Sequence, residues 1–142
     1  MKRNCLVGLI VMCVVLGGIA FWWWYPGPGL PGNTDHFVTE ISNSNKLSRA
    51  EIEAAVLPVL EQFKAYEGCT LTRIWYDEST AYDLCPSYLD DPNAIVLYGD
   101  FETDANTGDS GFNSNYSYKK WSWLLLKDDL KSPWIIKNYG YC

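Results

Sequence analysis

The chain has 142 residues, with 11 Lys and Arg against 17 Asp and Glu, a formal charge of −6. Setting aside Lys2 and Arg3, which precede a long apolar run, leaves 9 basic residues and a charge of −8 on the remainder. Such a surface repels nucleic acid and anionic headgroups, so DNA and RNA binding are set aside. Ser-His-Asp and Cys-His catalysis both need a histidine, and the single candidate, His36, stands between a Pro-Gly stretch and a weakly patterned polar segment, which argues against either; with no C-x-x-C beside that one histidine, an ordinary zinc site is set aside too.

The uncharged run from Cys5 to Tyr25 is about 20 residues, enough at about 1.5 Å per residue to cross a hydrocarbon core of about 30 Å. It ends in Trp22, Trp23, Trp24 and Tyr25, whose amphipathic rings prefer the headgroup level. Three fates compete for this segment. Gly18-Ile19-Ala20 offers small residues for signal cleavage, which would release the chain. Lipid attachment lacks its small residue, because Asn4 precedes Cys5 and Met12 precedes Cys13. An uncleaved signal anchor fits best. Residues 1–25 are then a single-pass transmembrane helix with Lys2 and Arg3 on the cytoplasmic side, the membrane is a partner, and everything from Pro26 onward is extracytoplasmic.

Pro26-Gly27-Pro28-Gly29-Leu30-Pro31-Gly32 reads by composition as a linker that spaces the domain from the membrane. Residues 26–47 form this linker and a polar segment, in which Phe37, Val38 and Ile41 offer a short strand or a packing stripe. Residues 48–142 form one domain.

Ser48-Arg49-Ala50-Glu51 matches a capping box, with Leu47 and Ile52 as its hydrophobic staple. Ile52, Ala55, Val56, Val59, Leu60, Phe63 and Tyr66 follow at three- and four-residue steps, so a helix is predicted from here to a stop at Gly68, kinked or split at Pro58. Thr70 to Tyr76 is rich in β-branched and aromatic residues and predicts a strand. A short helix is expected around Ser79 to Leu84, then strands at Ala94 to Phe101, Tyr118 to Leu126 and Pro133 to Tyr139, the last two as a hairpin. The expected fold is α+β: one kinked long helix on an antiparallel sheet of about four strands.

Cys69, Cys85 and Cys142 lie where disulfides can form. Cys69 sits at a helix-to-strand junction suited to burial. Cys85 is in a loop and Cys142 ends the chain, so Cys85 to Cys142 is the favoured bridge.

No residue set stands out as catalytic. Asp77, Glu78, Asp100 and Glu102 at strand ends read as solvated charges, although an inward Asp100 would suit a small pocket enzyme. Asp104, Asn106 and Asp109 are the most cation-like group, yet their spacing from Asp104 departs from a calcium loop. Trp121 and Trp123 alternate onto one sheet face and, with Tyr98, make a candidate recognition face that competes with simple core packing. No cofactor is implied.

Gly68-Cys69-Thr70-Leu71 leading to Trp75-Tyr76-Asp77, the Gly111-Phe112-Asn113 loop before Trp121-Ser122-Trp123, and the ending Pro133-Trp134 to Gly140-Tyr141 carry a resemblance. Over residues 48–141 the chain resembles a group of uncharacterised exported or lipid-anchored small proteins of Gram-positive, clostridia-like bacteria. Its helix-then-sheet order is similar to the cystatin and NTF2-like architecture, which implies a sheet curving around one helix. The group has no activity to carry over, so no residue inherits a role. Together, anchor, acidity and the missing catalytic set point to a non-enzymatic extracytoplasmic module that binds or senses a cell-envelope or protein partner. The alternatives are a protein-contact inhibitor or immunity protein and a small NTF2-like pocket enzyme.

Overall fold

The structure, a computed structural model, describes residues 27–42, 44–84, 86–88, 91–129 and 131–141. The predicted anchor and the predicted Cys85–Cys142 bridge fall outside them. Among the described residues, no helix is long and apolar enough to cross a membrane.

The elements run β1 (Val38–Ile41), α1 (Arg49–Phe63), β2 (Cys69–Tyr76), α2 (Glu78–Leu84), a 3₁₀ turn (Pro86–Tyr88), β3 (Ala94–Thr103), β4 (Ser117–Leu126) and β5 (Ile135–Gly140). They build an α+β fold around a five-stranded sheet in the order β1-β2-β3-β4-β5. The sheet is mixed where an antiparallel one was expected. β1 pairs parallel with β2, from Val38 opposite Arg73 to Ile41 opposite Tyr76, while the other neighbours are antiparallel. A parallel neighbour needs a crossover, and α1 supplies it. The extra strand was hard to read because Val38-Thr39-Glu40-Ile41 is short and mostly exposed at the sheet edge.

The helix start is as the sequence dictates. Ser48 Oγ accepts from the Glu51 amide at 3.3 Å and Glu51 Oε2 accepts from the Ser48 amide at 2.9 Å, while Leu47 and Ile52 are both buried. The helix runs unbroken through Pro58 and ends at Phe63, short of Gly68. Ala54 and Leu57 are exposed, so the carbonyl that Pro58 leaves unbonded lies on the solvent side, where water can satisfy it. A turn follows, and Gly68 takes φ +65°.

The Pro-Gly stretch, expected as a spacer, lies against the domain instead. Gly32 donates to the Lys64 carbonyl at 3.0 Å, Gly68 donates to the Leu30 carbonyl at 2.7 Å, and Asn33 bridges to Thr70 beside the start of β2. A side chain at Gly32 would meet the Phe63 carbonyl oxygen at 2.0 Å, so this glycine serves close backbone approach.

One face of the sheet carries α1. Ile52, Ala55, Val56, Val59 and Phe63 pack on Leu71, Ile74, Ile95, Leu97, Phe101, Trp123 and Leu125. The other face has a smaller cluster of Val96, Tyr98 and Leu124 with Ala81 of α2, flanked by Trp75 and Leu126. β3 is therefore buried on both faces, which explains its continuous apolar run.

At Asp100 the sheet is irregular on both sides. Leu71 and Arg73 oppose Phe101 and Asp100, and Gly99 and Phe101 oppose Trp121 and Tyr118, so each flanking strand carries one extra residue there. Such bulges increase local twist and bend the strand. The β4 bulge includes Lys120 at φ 57° and keeps Tyr118 and Trp121 on the same face, packed with Phe101 and Phe112.

Candidate functional site

The antiparallel register gives the domain two dissimilar ends. At one, Cys69 opposes Thr103 and Glu102 opposes Ser117. At the other, Ala94 opposes Leu126, which also opposes Ile135.

The second end holds a groove of about 550 Å³ between the first half of α1 and the β4–β5 connection, lined by residues that include Ala54, Leu57, Pro58, Pro133 and Trp134. Its floor is an ion pair: Lys127 Nζ, with its side chain 3% exposed, meets Glu51 Oε1 at 2.9 Å. The ammonium also lies 4.6 Å from the Trp134 ring centroid, and Trp134 Nε1 donates to the Glu51 carbonyl at 3.1 Å. Glu51 thus closes the capping box with one oxygen and holds Lys127 with the other. Hydrogen bonds from Lys127 first, then from the Ser48 amide and hydroxyl, hold its carboxyl down at about 2. Leu57, 66% exposed, forms an apolar lip. The floor is fully engaged, so what the groove offers a ligand is shape and apolar contact.

The first end carries an aromatic cluster. Tyr66, Phe101, Phe112, Tyr118 and Trp121 contact one another at ring separations of 4.8–6.3 Å. Three tyrosines extend it into solvent: Tyr116 touches Tyr118, Tyr141 touches Trp121, and Tyr139 touches Tyr66. These three are 52%, 62% and 51% exposed. Inside the cluster, the Tyr66 hydroxyl and the indole N–H groups of Trp121 and Trp123 are buried without a hydrogen bond of normal geometry. Burial pushes the Tyr66 phenol up to about 12, against the opposing pull of the nearby Trp123 and Trp121 N–H groups.

The predicted recognition trio divides. Trp121 and Trp123 do share a face, as their alternation requires, but it is the face covered by α1, and Trp123 has no exposed surface. Tyr98 is fully buried on the opposite face, stacked on Trp75 at 4.7 Å. Only Trp121 reaches the exposed cluster. Tyr139 ends a predicted strand and was legible as such, whereas Tyr116 precedes the predicted start of its strand at Tyr118; the exposure of both follows from where β4 and β5 end, which periodicity does not locate.

The predicted cation group does not converge either. Asn106 spends its side chain on the Gly27 carbonyl and the Gly108 amide, and among the described residues no three His, Cys, Asp or Glu side chains gather to hold a metal. His36 is exposed. Asp100 lies on the face away from α1, because its neighbours Gly99 and Phe101 both face Trp123 and the main core. There Oδ2 receives Arg73 Nη2 at 2.8 Å and Oδ1 receives the Lys120 amide at 2.9 Å. An Asp100 facing a helix–sheet pocket is therefore not what the fold builds. Cys69 is a buried free thiol, pushed up to about 12 by burial and, secondarily, by Asp104.

Comparison with protein-family models, with curated proteins and with solved structures returns no match for this chain.

Proposed function

We propose that this protein is a membrane-anchored extracytoplasmic module that binds a cell-envelope or protein partner without chemical turnover, on a cystatin/NTF2-like sheet wrapped over α1. The observation that carries the reading is the groove of about 550 Å³ beside the Glu51–Lys127 pair. Its walls are mostly apolar, its charges are neutralised internally, and the exposed Leu57 stands at its edge. The anchor rests on the charge and hydropathy pattern of residues 1–25, and the kinship to exported small proteins of clostridia-like bacteria on the motifs quoted above.

The test is co-sedimentation of the full chain, in detergent, with the insoluble envelope fraction of a Gram-positive bacterium. Leu57→Asp places a charge in the groove without touching the core, and retention is expected to fall about tenfold or more, the effect of losing one well-packed apolar anchor. Unchanged retention by Leu57→Asp would remove the groove from the reading. A role as a protein-contact inhibitor or immunity protein uses the same groove. It is favoured if treating the fraction with protease abolishes retention while digesting its glycan does not.

A further inference from the structure

The chain leaves the predicted anchor beside the aromatic end of the sheet. Gly27 is two residues beyond Tyr25, so the link between them spans at most about 7 Å. Gly27 is not free to carry the domain away: its carbonyl accepts from Asn106 Nδ2 at 2.9 Å, and Gly29 donates to Glu67 Oε2 at 2.9 Å. The loop after β3 and the turn before β2 are therefore held within a few residues of the apolar run. These belong to the end where Tyr116 projects, its carbonyl accepting from the Thr103 amide, and Leu30, 76% exposed, lies there as well, bonded to Gly68; Tyr139 and Tyr141, across the sheet at the end of β5, join it through their ring contacts with Tyr66 and Trp121. The groove by Glu51 and Lys127 lies at the other end.

From this placement we infer that the aromatic end is a membrane-seating surface, with Tyr116, Tyr139, Tyr141 and Leu30 at the headgroup level of the bilayer. The inference rests on the anchor reading of residues 1–25. The polar headgroup layer on each side of a bilayer is about 5–8 Å thick, comparable to the reach of the Tyr25–Gly27 link, so the end of the domain that holds Gly27 is the end set against it. Tyrosine suits that layer because its ring body is apolar and its hydroxyl stays hydrated. Trp22, Trp23, Trp24 and Tyr25 close the apolar run with the same chemistry, so the domain's tyrosines extend that aromatic belt sideways. Lipid charge contributes little. Exposed Lys119 and Lys120 near this end are offset by Glu102, Asp104 and Asp109, and the chain as a whole is acidic. The seating therefore fixes the orientation: the groove faces away from the membrane, toward the envelope.

The experiment reconstitutes the full chain into phosphatidylcholine vesicles containing a headgroup-labelled paramagnetic lipid. A reporter is attached at Tyr139→Cys, Tyr141→Cys or Leu57→Cys, with the native cysteines first replaced by Ser. The expected result is loss of the reporter signal at 139 and 141 with the signal at 57 retained. Replacing a quarter of the lipid with phosphatidylglycerol is expected to leave that pattern unchanged. Equal loss at all three positions, or greater loss at 57, overturns the inference, and so does a pattern that appears only with the anionic lipid. Flotation of the vesicles separates this failure from failure of the anchor. A chain that floats but shows no selective loss at 139 and 141 sinks the seating alone, whereas a chain that does not float sinks the anchor and the seating together. As an independent check on folding, a Tyr139→Ser/Tyr141→Ser chain should still float yet regain a signal at a reporter on Tyr116→Cys.

Discussion

Glu51 accepts from Lys127 Nζ at 2.9 Å while its second carboxylate oxygen closes the capping box on Ser48. One side chain thus starts α1 and fastens it to the β4–β5 connection 76 residues away. A local helix signal and a long-range tertiary contact meet in the same residue.

Glu51→Gln should therefore destabilise the domain by about 2 kcal/mol, because it leaves a nearly buried ammonium without its carboxylate. Lys127→Met should cost less, since the remaining Glu51 is still capped by Ser48 and about one-third exposed to water. Urea denaturation of both variants, read as a shift in midpoint at constant slope, checks the order.

Acid should weaken the fold in a defined window. The Glu51 pKa is lowered from 4.5 to about 2 on folding, so its contribution is complete above pH 4.5 and is lost as the pH falls toward 2. Its side chain is 35% exposed, so after allowance for solvent screening the loss is on the order of 1–2 kcal/mol. Asp77, lowered first by the Ser79 hydroxyl, and Asp129, lowered first by the Lys131 amide, act in the same direction. The melting temperature should be flat down to about pH 5 and fall below it; a rise on acidification would contradict the pairing.

Asp100 holds two strand irregularities at once, through Arg73 on β2 and the Lys120 amide on β4. Asp100→Ala should cost about 2–3 kcal/mol by leaving that amide unpaired and leaving the Arg73 guanidinium with Glu40 as its remaining carboxylate. Asp100→Asn keeps an acceptor for Lys120 and should cost distinctly less. Thermal unfolding followed by near-ultraviolet circular dichroism distinguishes them, since Trp121 follows the bulge directly.

Cys69 should stay unmodified in the folded protein. Its thiol is buried and held near 12, so almost no thiolate forms at pH 8. Peptide mapping after iodoacetamide treatment should find Cys69 alkylated only when denaturant is present.

Much of the fold was legible where a signal is local. The capping box needed only Ser48 and Glu51, and four of the five strands followed from β-branched and aromatic runs near their observed bounds. The candidate sites were less legible. Trp123 and Tyr98 resembled recognition residues because an aromatic ring in a strand has the same spelling whether it faces ligand or core. Their burial depends on α1 covering one face and α2 the other. Pro26 to Gly32 resembled a spacer because glycine that permits close packing is spelled like glycine that permits freedom.

By itself, then, the amino-acid order determined the acidity, the start of α1, the strand-rich second half and the apolar run from Cys5 to Tyr25, since each depends on neighbours in the chain. Tertiary structure decided that β1 joins in parallel, that the Pro-Gly stretch is pinned to the domain, and that the aromatic end and the groove lie at opposite ends. Each of these depends on contacts such as Gly27 with Asn106 and Glu51 with Lys127, separated by 79 and 76 residues. No local periodicity encodes a pairing at that distance; it is set by which apolar faces are buried together when the chain closes.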